Sequence, residues 1–371
     1  MKKRFLLLLI VLALFLVACT PAAPPPAQQQ PPAQAGDGAA QNQPQVEESE
    51  EGAGGLRVGM ITDIGGINDQ SFNQSAWEGV LRARDDFGVG IYVLESRTDA
   101  DYLAHMETMV EDGMDMVIGV GFRMGDAIQR AAGYWPHVQF AIIDFEYDPA
   151  DVPNNNITGV MFRANVASFL VGLVAAHTTE SGIVGFVNGM DVPIMNEFGV
   201  GFYAGVLTVN PDITIFSQYA NAFNDPALGR AIAHQMYSDG ADVIFHAAGD
   251  TGNGVIEAAA EMDRWVIGVD MDQLHLAPNN VLTSAMKRVD IATHELVRRL
   301  VTGEELGTGT IVHDLTTGGI GIAPSSYVHV APDVLEFVED MKQRIISGEV
   351  IVPNTIEEFQ AAFPGVSYMG R

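Results

Sequence analysis

The sequence predicts an α/β protein made of two doubly wound parallel-sheet lobes with a cleft between them. Short aliphatic and β-branched runs alternate with longer segments of helical periodicity, which is typical of parallel strands joined by crossover helices. The order of strands and helices predicted for the first half is repeated in the second half, although the two halves show no strong sequence repeat. Of the 371 residues, 316 follow residue 55, which is enough for two lobes of about 150 residues each.

Ten segments predict strands, five in each half of this region. Those of the first half are Leu56–Thr62, Ile91–Glu95, Met116–Gly119, Gln139–Asp144 and Ile157–Phe162. Those of the second half are Ile183–Val187, Ile213–Gln218, Asp242–Ala247, Val266–Asp270 and Val281–Met286. Helices are expected between them, because Ser71 and Gln74 have capping-box spacing and Asp225-Pro226 fits an N-cap followed by a first-turn proline.

The first 55 residues predict export rather than a folded lobe. Basic residues 2–4 precede the apolar run Phe5–Val17, which is short for a membrane span and has the layout of a secretory signal. Cys19 follows small residues at the end of this run, so residues 1–18 are expected to be a lipoprotein signal peptide and Cys19 a lipidation site. The alternative is an uncleaved signal anchor that happens to end in cysteine. Residues 19–55, rich in Pro, Ala, Gln and Gly, are expected to form a disordered tether.

Charge and cysteine content exclude several classes of partner and bond. Removal of residues 1–18 lowers the formal net charge from −28 by three, to −31, which argues against binding to nucleic acid or to anionic lipid surfaces. The acidity equally fits adaptation to the solvent of the host. Cys19 is the sole cysteine, so no disulfide can form within the chain.

Aspartates stand at the carboxyl ends of predicted strands in both lobes, where open parallel sheets bind ligands. They are Asp63, Asp144 and Asp270, and Lys287 ends the last predicted strand. Carboxylates accept hydrogen bonds in pairs, which suits ribose hydroxyls or base N–H groups and disfavours phosphate. Each aspartate could instead cap the helix that follows it, and Lys287 could be a surface lysine on a turn.

Two aromatic residues near these strand ends could hold a flat ring between them. Phe72 follows the first glycine-rich turn, and Phe223 follows a predicted strand of the second lobe. Stacking on aromatic faces is a common way to bind purines. Both residues could equally belong to the core, since Phe72 also begins the apolar stripe of its helix.

The sequence offers no motif for catalysis, a cofactor or a metal. A nucleotide-binding P-loop is absent, and the spacing Gly119-x-Gly121 lacks the third glycine of a dinucleotide fingerprint. Asp270-x-Asp272 is not continued as a calcium loop, and His294-Glu295 is not followed by the second histidine of a zinc protease. We therefore expect a binding protein without cofactor or metal rather than an enzyme.

Several strings at the strand ends resemble those of the basic membrane protein family, bacterial substrate-binding lipoproteins of ABC importers that include purine nucleoside receptors. The similarity covers about Leu56 to Val330 in the same order. It is carried by Gly66-Ile67-Asn68-Asp69-Gln70-Ser71-Phe72-Asn73-Gln74, Phe140-Ala141-Ile142-Ile143-Asp144, Phe245-His246-Ala247-Ala248-Gly249, Val266-Ile267-Gly268-Val269-Asp270 and Leu282-Thr283-Ser284-Ala285-Met286-Lys287. Val166 and Asp250 depart from it, because relatives often carry an acidic residue and a second glycine there.

The resemblance implies a type I periplasmic-binding-protein fold with a three-segment hinge. It implies an N-terminal lobe of residues 56–162 and about 288–313, and a C-terminal lobe of residues 163–287 and about 314–371. The implied roles are base stacking by Phe72 and Phe223, a bond from Asp144 to the base edge, and bonds from Asp270 and Lys287 to the ribose hydroxyls. Completing the site would be Asp63, Asn68, Asn73 and the backbone of Gly249.

The resemblance further implies a monomer, lipid-anchored outside the cytoplasm, that delivers a nucleoside to ABC permease subunits. Three alternatives stay open at this point. The protein could bind a sugar or riboflavin in the same fold, or report its ligand to a membrane sensor without transport. It could also be a nucleoside-modifying enzyme on the same architecture.

Overall fold

The computed structural model describes residues 55–152 and 154–369. The predicted signal peptide, the lipidation site Cys19 and all of the predicted tether except Gly55 lie outside the described residues.

The first lobe is built on a six-stranded, fully parallel sheet. Its strands lie in the order β11-β5-β4-β3-β1-β2. They are β1 (Arg57–Thr62), β2 (Gly90–Glu95), β3 (Met116–Val120), β4 (Gln139–Ile143), β5 (Ile157–Phe162) and β11 (Gly309–His313). The helices of the first lobe are α1 (Phe72–Phe87), α2 (Asp101–Glu111), α3 (Gly125–Tyr134) and α8 (Val289–Thr302).

The second lobe is built on another six-stranded sheet, ordered β12-β10-β9-β8-β6-β7, in which only β12 is antiparallel. Its strands are β6 (Ile183–Asn188), β7 (Thr214–Tyr219), β8 (Val243–Ala247), β9 (Trp265–Asp270), β10 (Val281–Lys287) and β12 (Ile320–Ile322). Its helices are α4 (Ala164–Thr178), α5 (Pro193–Val209), α6 (Pro226–Ser238), α7 (Asp250–Met262), α9 (Pro332–Ile346) and α10 (Ile356–Ala362).

All ten predicted strands are confirmed, each to within one residue at either end. Their β-branched and aliphatic residues are buried on both faces, as expected of parallel strands covered by helices on each side. Two strands were not predicted. β11 is only partly buried, with a single fully buried residue, and β12 is three residues long, so neither carries the continuous apolar run that marks the others.

The chain passes between the two lobes three times. It leaves the first sheet after Phe162, leaves the second sheet after Lys287, and leaves the first sheet again after His313. The fold therefore has the expected three-segment hinge. One large apolar cluster extends across the helices and inner sheet faces of both lobes, and two smaller clusters cover the outer faces.

The two sheets repeat the same order of strands, so residues at equivalent strand ends can be matched by register. Asp144, after β4, corresponds to Asp270 at the end of β9. Asp63, after β1, corresponds to Gly189 after β6. Phe162 at the end of β5 corresponds to Lys287 at the end of β10.

The predicted capping box of α1 is wrong. Ser71 stands at the N-cap position, but its side chain accepts no bond from the first turn. The carboxylate of Asp69 takes that role and accepts hydrogen bonds from the backbone N–H groups of Ser71, Asn73 and Gln74, at 2.9 to 3.0 Å. The predicted start of α6 is confirmed, because the Asp225 carboxylate accepts from the backbone N–H of Leu228 and Pro226 follows it.

Candidate ligand-binding cleft

A cavity lies where the carboxyl ends of the two sheets face one another. About 510 Å³ of space there is free of protein atoms, part of it open to solvent. Eight of the nine residues predicted to bind ligand line it: Asp63, Phe72, Asn73, Asp144, Phe223, Gly249, Asp270 and Lys287. Residues from opposite halves of the chain are thus brought together in one place.

Asn68 is the exception among the predicted residues. Its side chain is exposed in the turn before α1 and is not part of the cavity wall. The neighbouring Asp69 points inward instead, is 2% exposed and lines the cavity. The reason is the helix cap, which requires the Asp69 carboxylate beneath the first turn of α1 and leaves Asn68 on the outside of the turn.

Asp63 and Asn73 form the polar wall of the first lobe. The side-chain amide of Asn73 donates to Asp63 Oδ1 at 2.8 Å and to Asp69 Oδ2 at 3.0 Å. The backbone N–H of Gly65 also donates to Asp63 Oδ1, at 2.9 Å. Burial nevertheless raises the pKa of Asp63 to about 6, against the opposing effect of these bonds. The bonds from Asn73 and Gly65 hold the Asp63 carboxyl group, a hydrogen-bond acceptor, in a fixed direction.

Lys287 and Asp144 form an ion pair across the gap between the lobes. Lys287 is 3% exposed and Asp144 is 7% exposed, so both charges are withdrawn from water. The pair uses only one carboxylate oxygen. Among the described residues, the buried Oδ1 of Asp144 accepts no hydrogen bond. A buried acceptor without a donor is costly, and a ligand N–H or O–H group at this point would satisfy it.

Three aromatic rings surround the ammonium group of Lys287. The Nζ atom lies 4.6 Å from the ring centroid of Phe72, 5.3 Å from that of Phe162 and 5.5 Å from that of Phe198. Rings at such distances attract a desolvated cation through their negative faces. Phe162 and Phe198 were not predicted to take part. Neither carries a sequence signal for it, because their place beside Lys287 depends on how β5 and α5 pack.

Asp270 reaches the first lobe through Ser71, whose hydroxyl donates to Asp270 Oδ2. Asp270 is 5% exposed, and burial raises its pKa to about 7, while the nearby Lys287 and the bond from Ser71 oppose the increase. Ser71 is free to make this bond because Asp69 caps the helix in its place.

Asp144 and Asp270 share an uncommon backbone conformation. Their φ angles are +69° and +64°, in the left-handed region that non-glycine residues seldom occupy. Such strain concentrates at functional sites, where the surrounding structure enforces it. Here it turns the carboxylate at each strand end toward the opposite lobe.

The segment Asp69–Ser71, which we term the interlobe clasp, also contacts the second lobe directly. The Asn253 side-chain amide donates to the carbonyl oxygen of Asp69 at 2.9 Å. The Gln273 amide donates to the carbonyl oxygen of Gln70, also at 2.9 Å. Asn253 is further held by Asp250, which stands outside the cavity wall at the start of α7.

The cavity as a whole suits an uncharged, ring-bearing molecule rich in hydrogen-bond donors. Four buried carboxyl groups and one ammonium group line it, a balance that would repel phosphate. Phe72 and Phe223, both half-buried, provide apolar faces. Within the described residues, no group of His, Cys, Asp or Glu side chains is arranged to hold a metal ion.

Residues 56–357 match the family model described as ABC transporter substrate-binding protein PnrA-like, abbreviated Bmp. The chain belongs to this family. It is 41% identical over 317 residues to the CD4+ T-cell-stimulating antigen of Listeria monocytogenes, with 80% of this chain and 87% of that protein covered. It is 35% identical over 307 residues to basic membrane protein A of Borreliella burgdorferi, with 82% and 89% covered.

A solved structure supports the same assignment. The crystal structure of an ABC transporter solute-binding protein from Aeropyrum pernix K1 is similar at a TM-score of 0.73 and 26% identity, with 82% of this chain and 96% of that chain covered. The type I periplasmic-binding-protein fold is therefore confirmed. The family consists of substrate-binding proteins rather than enzymes, and membership implies a small-molecule ligand and a permease as partners.

Substrate-binding proteins of this kind act outside the cytoplasm in association with the membrane. Among the residues that the structure describes, no helix is both long and apolar enough to cross a bilayer.

Proposed function

We propose that this substrate-binding protein captures a nucleoside, with a purine base preferred, and delivers it to an ABC permease. The observation that carries the proposal is the combination, in one cavity, of two phenylalanines from opposite lobes with the unpaired Oδ1 of Asp144. A purine ring offers π-faces to the phenylalanines, and its edge N–H groups offer donors to Asp144.

The ribose is assigned to Asp270 and Lys287, next to Asp144. Asp270 and Lys287 lie together in the cavity wall and provide an acceptor and a donor for vicinal hydroxyl groups. Asp63 and Asn73 provide further fixed partners. Because the carboxyl groups outnumber the single lysine, a nucleoside is favoured over a nucleotide.

Calorimetric titration of the purified protein with inosine, adenosine, guanosine, ribose and riboflavin tests the proposal. We expect binding of the purine nucleosides without turnover. Asp270→Ala and Phe72→Ala should each weaken binding by about 10-fold or more, since each lost contact is worth about 1–3 kcal/mol. Matched controls are Asp212→Ala and Phe337→Ala, because neither residue lines the cavity.

Three results would contradict the proposal. Unchanged affinity in both Asp270→Ala and Phe72→Ala would remove these residues from the site. Preferential binding of ribose or riboflavin would favour the sugar or flavin alternative. Cleavage of a nucleoside would identify an enzyme.

We also infer that the mature protein is anchored through a lipid on Cys19, so that closure and delivery occur at the membrane surface. The inference is supported by the sequence of residues 1–19. Expression of Cys19→Ala in a bacterial host should release the protein from the membrane fraction, and mass spectrometry should find the acyl groups only on the parent protein. Membrane retention of Cys19→Ala would contradict the anchor.

A further inference from the structure

Gly189 packs against the ring of Phe223 and, unlike Phe223, does not line the cavity. A Cβ atom at position 189 would stand 2.1 Å from Cε1 of Phe223 and 2.8 Å from both Cδ1 and Cζ. Contacts below 3.0 Å are essentially never seen for real Cβ atoms. The ring of Phe223 therefore occupies the space that any other residue at position 189 would need.

The backbone of Phe223 is fixed from its other side. Its carbonyl oxygen accepts a hydrogen bond from the backbone N–H of Thr251 at 3.2 Å. The next turn is tied to the same residue, because the Thr251 hydroxyl accepts from the backbone N–H of Asp225 at 2.9 Å. Gly249, whose φ is +54°, also packs here, since a Cβ on it would lie 3.2 Å from the Phe223 carbonyl oxygen.

The cavity offers the Phe223 ring open space into which it can yield, because Phe223 lines it. With the backbone tied to the first turn of α7, a ring pushed from position 189 has to move by rotation of its own side-chain bonds. Because Gly189 has no side chain, the Phe223 ring can occupy this space, and this sets the depth of the cavity on that side. The equivalent strand end of the first lobe carries Asp63, whose side chain itself forms the wall.

We propose that Gly189 is a specificity-determining residue, because it seats Phe223 deeply enough for a two-ring base to fit against it. The inference rests on the proposed nucleoside function and goes beyond it by naming the residue that separates two-ring from one-ring bases. A methyl group at position 189 displaces the Phe223 ring into the cavity. The narrowed space then disfavours the larger heterocycle more than the smaller one.

The test compares the full-length protein with Gly189→Ala, using inosine and guanosine as two-ring probes and uridine and cytidine as one-ring probes. Because the narrowed cavity excludes the second ring, Gly189→Ala should weaken binding of the two-ring probes by at least about 10-fold. It should weaken binding of the one-ring probes by less than about 3-fold. Equal losses for both classes, or no loss for either, would overturn the proposal.

Gly185→Ala is the matched control, because Gly185 lies in β6, the strand that directly precedes Gly189. A Cβ there would meet Ile244 Cγ1 at 2.7 Å and Met236 Sδ at 3.1 Å, so the substitution crowds the core without touching Phe223. Its ratio of two-ring to one-ring affinity should stay that of the parent protein. A shift as large as that of Gly189→Ala would assign the effect to general crowding.

A double-mutant cycle keeps the proposal testable if Gly189→Ala alone folds poorly. In a Phe223→Ala background no ring stands in the way, so adding Gly189→Ala should change the melting temperature and the affinities little. An undiminished effect in that background would show that the collision is not with Phe223, and would overturn the proposal.

Failure of the nucleoside function and failure of this inference give different results. If the parent protein binds no nucleoside, the proposed function is wrong. If the parent protein binds no nucleoside, or binds two-ring but not one-ring nucleosides, the two affinities cannot be compared. A crystal structure of Gly189→Ala then decides the inference. A Phe223 ring displaced into the cavity supports it, and a ring in its original place overturns it.

Discussion

The two lobes use the same order of strands but end their equivalent strands differently. At the end of the first strand, the first lobe has Asp63 and the second has Gly189. At the hinge, Phe162 of the first lobe matches Lys287 of the second. Only at the third position do they agree, with Asp144 in one lobe and Asp270 in the other.

The shared and the differing positions have different tasks. Asp144 and Asp270 each bond to the opposite lobe, one to Lys287 and the other to Ser71, so the repeated feature holds the lobes together. The differing positions make the cavity asymmetric, with a carboxylate wall on one side and a seated aromatic ring on the other. A repeated scaffold thus becomes selective through the positions where its halves differ.

The largest effect is expected from Lys287→Met, which replaces the charged residue at the hinge position where the two lobes differ. This change leaves the Asp144 charge buried without its partner, so the free energy of unfolding should fall by about 3–5 kcal/mol. Urea denaturation measures the loss. Lys342→Met is the control, since its partly exposed pair with Glu339 should contribute less than about 1 kcal/mol. Equal losses in both variants would mean that burial of the Lys287 pair adds nothing to stability.

A smaller effect is expected from variants that separate helix capping by Asp69 from the interlobe bond of Ser71. Asp69→Ala removes the helix cap and should lower the free energy of unfolding by about 1–2 kcal/mol. It should also speed hydrogen exchange at the first-turn amides of Asn73 and Gln74. Ser71→Ala should weaken ligand binding through Asp270 while leaving exchange at those amides unchanged. Faster exchange in Ser71→Ala would reinstate the capping box that the structure contradicts.

A pH dependence of stability is also expected from Asp270. Its pKa is raised from 3.8 to about 7 in the fold, so between these values the folded state holds a proton that the unfolded state has lost. Stability due to this group is therefore fully present below the ordinary value and falls as the pH rises toward 7. Melting temperatures from about pH 5 to 8 should show a shallower decline in Asp270→Asn than in the parent protein. Identical slopes would contradict the raised pKa.

Much of the fold could be predicted from the sequence because buried parallel strands leave a plain signal. Their aliphatic runs located ten strands to within one residue. The remaining two strands, β11 and β12, are sheet edges held by their neighbours, so their own residues carry little pattern. Such edges are specified by tertiary packing rather than by local composition.

The cleft was predictable where it depends on strand ends and unpredictable where it depends on packing. Asp63, Asp144 and Asp270 follow from the rule that ligands gather at the carboxyl ends of parallel strands. Phe198 lies on α5 and meets Lys287 only once the helix has docked. Asn68 lies outside the cavity wall for a related reason, because the side of a tight turn that faces inward is set by the Asp69 cap.

The interlobe clasp has an unequal tolerance to mutation. On the first lobe, the atoms that accept from Asn253 and Gln273 are main-chain oxygens of Asp69 and Gln70. Replacing those side chains cannot delete a carbonyl, whereas one replacement at position 253 or 273 removes a donor outright. These two contacts of the clasp can therefore be changed by substitution only from the second lobe, whereas the bond between Ser71 and Asp270 can be removed from either lobe.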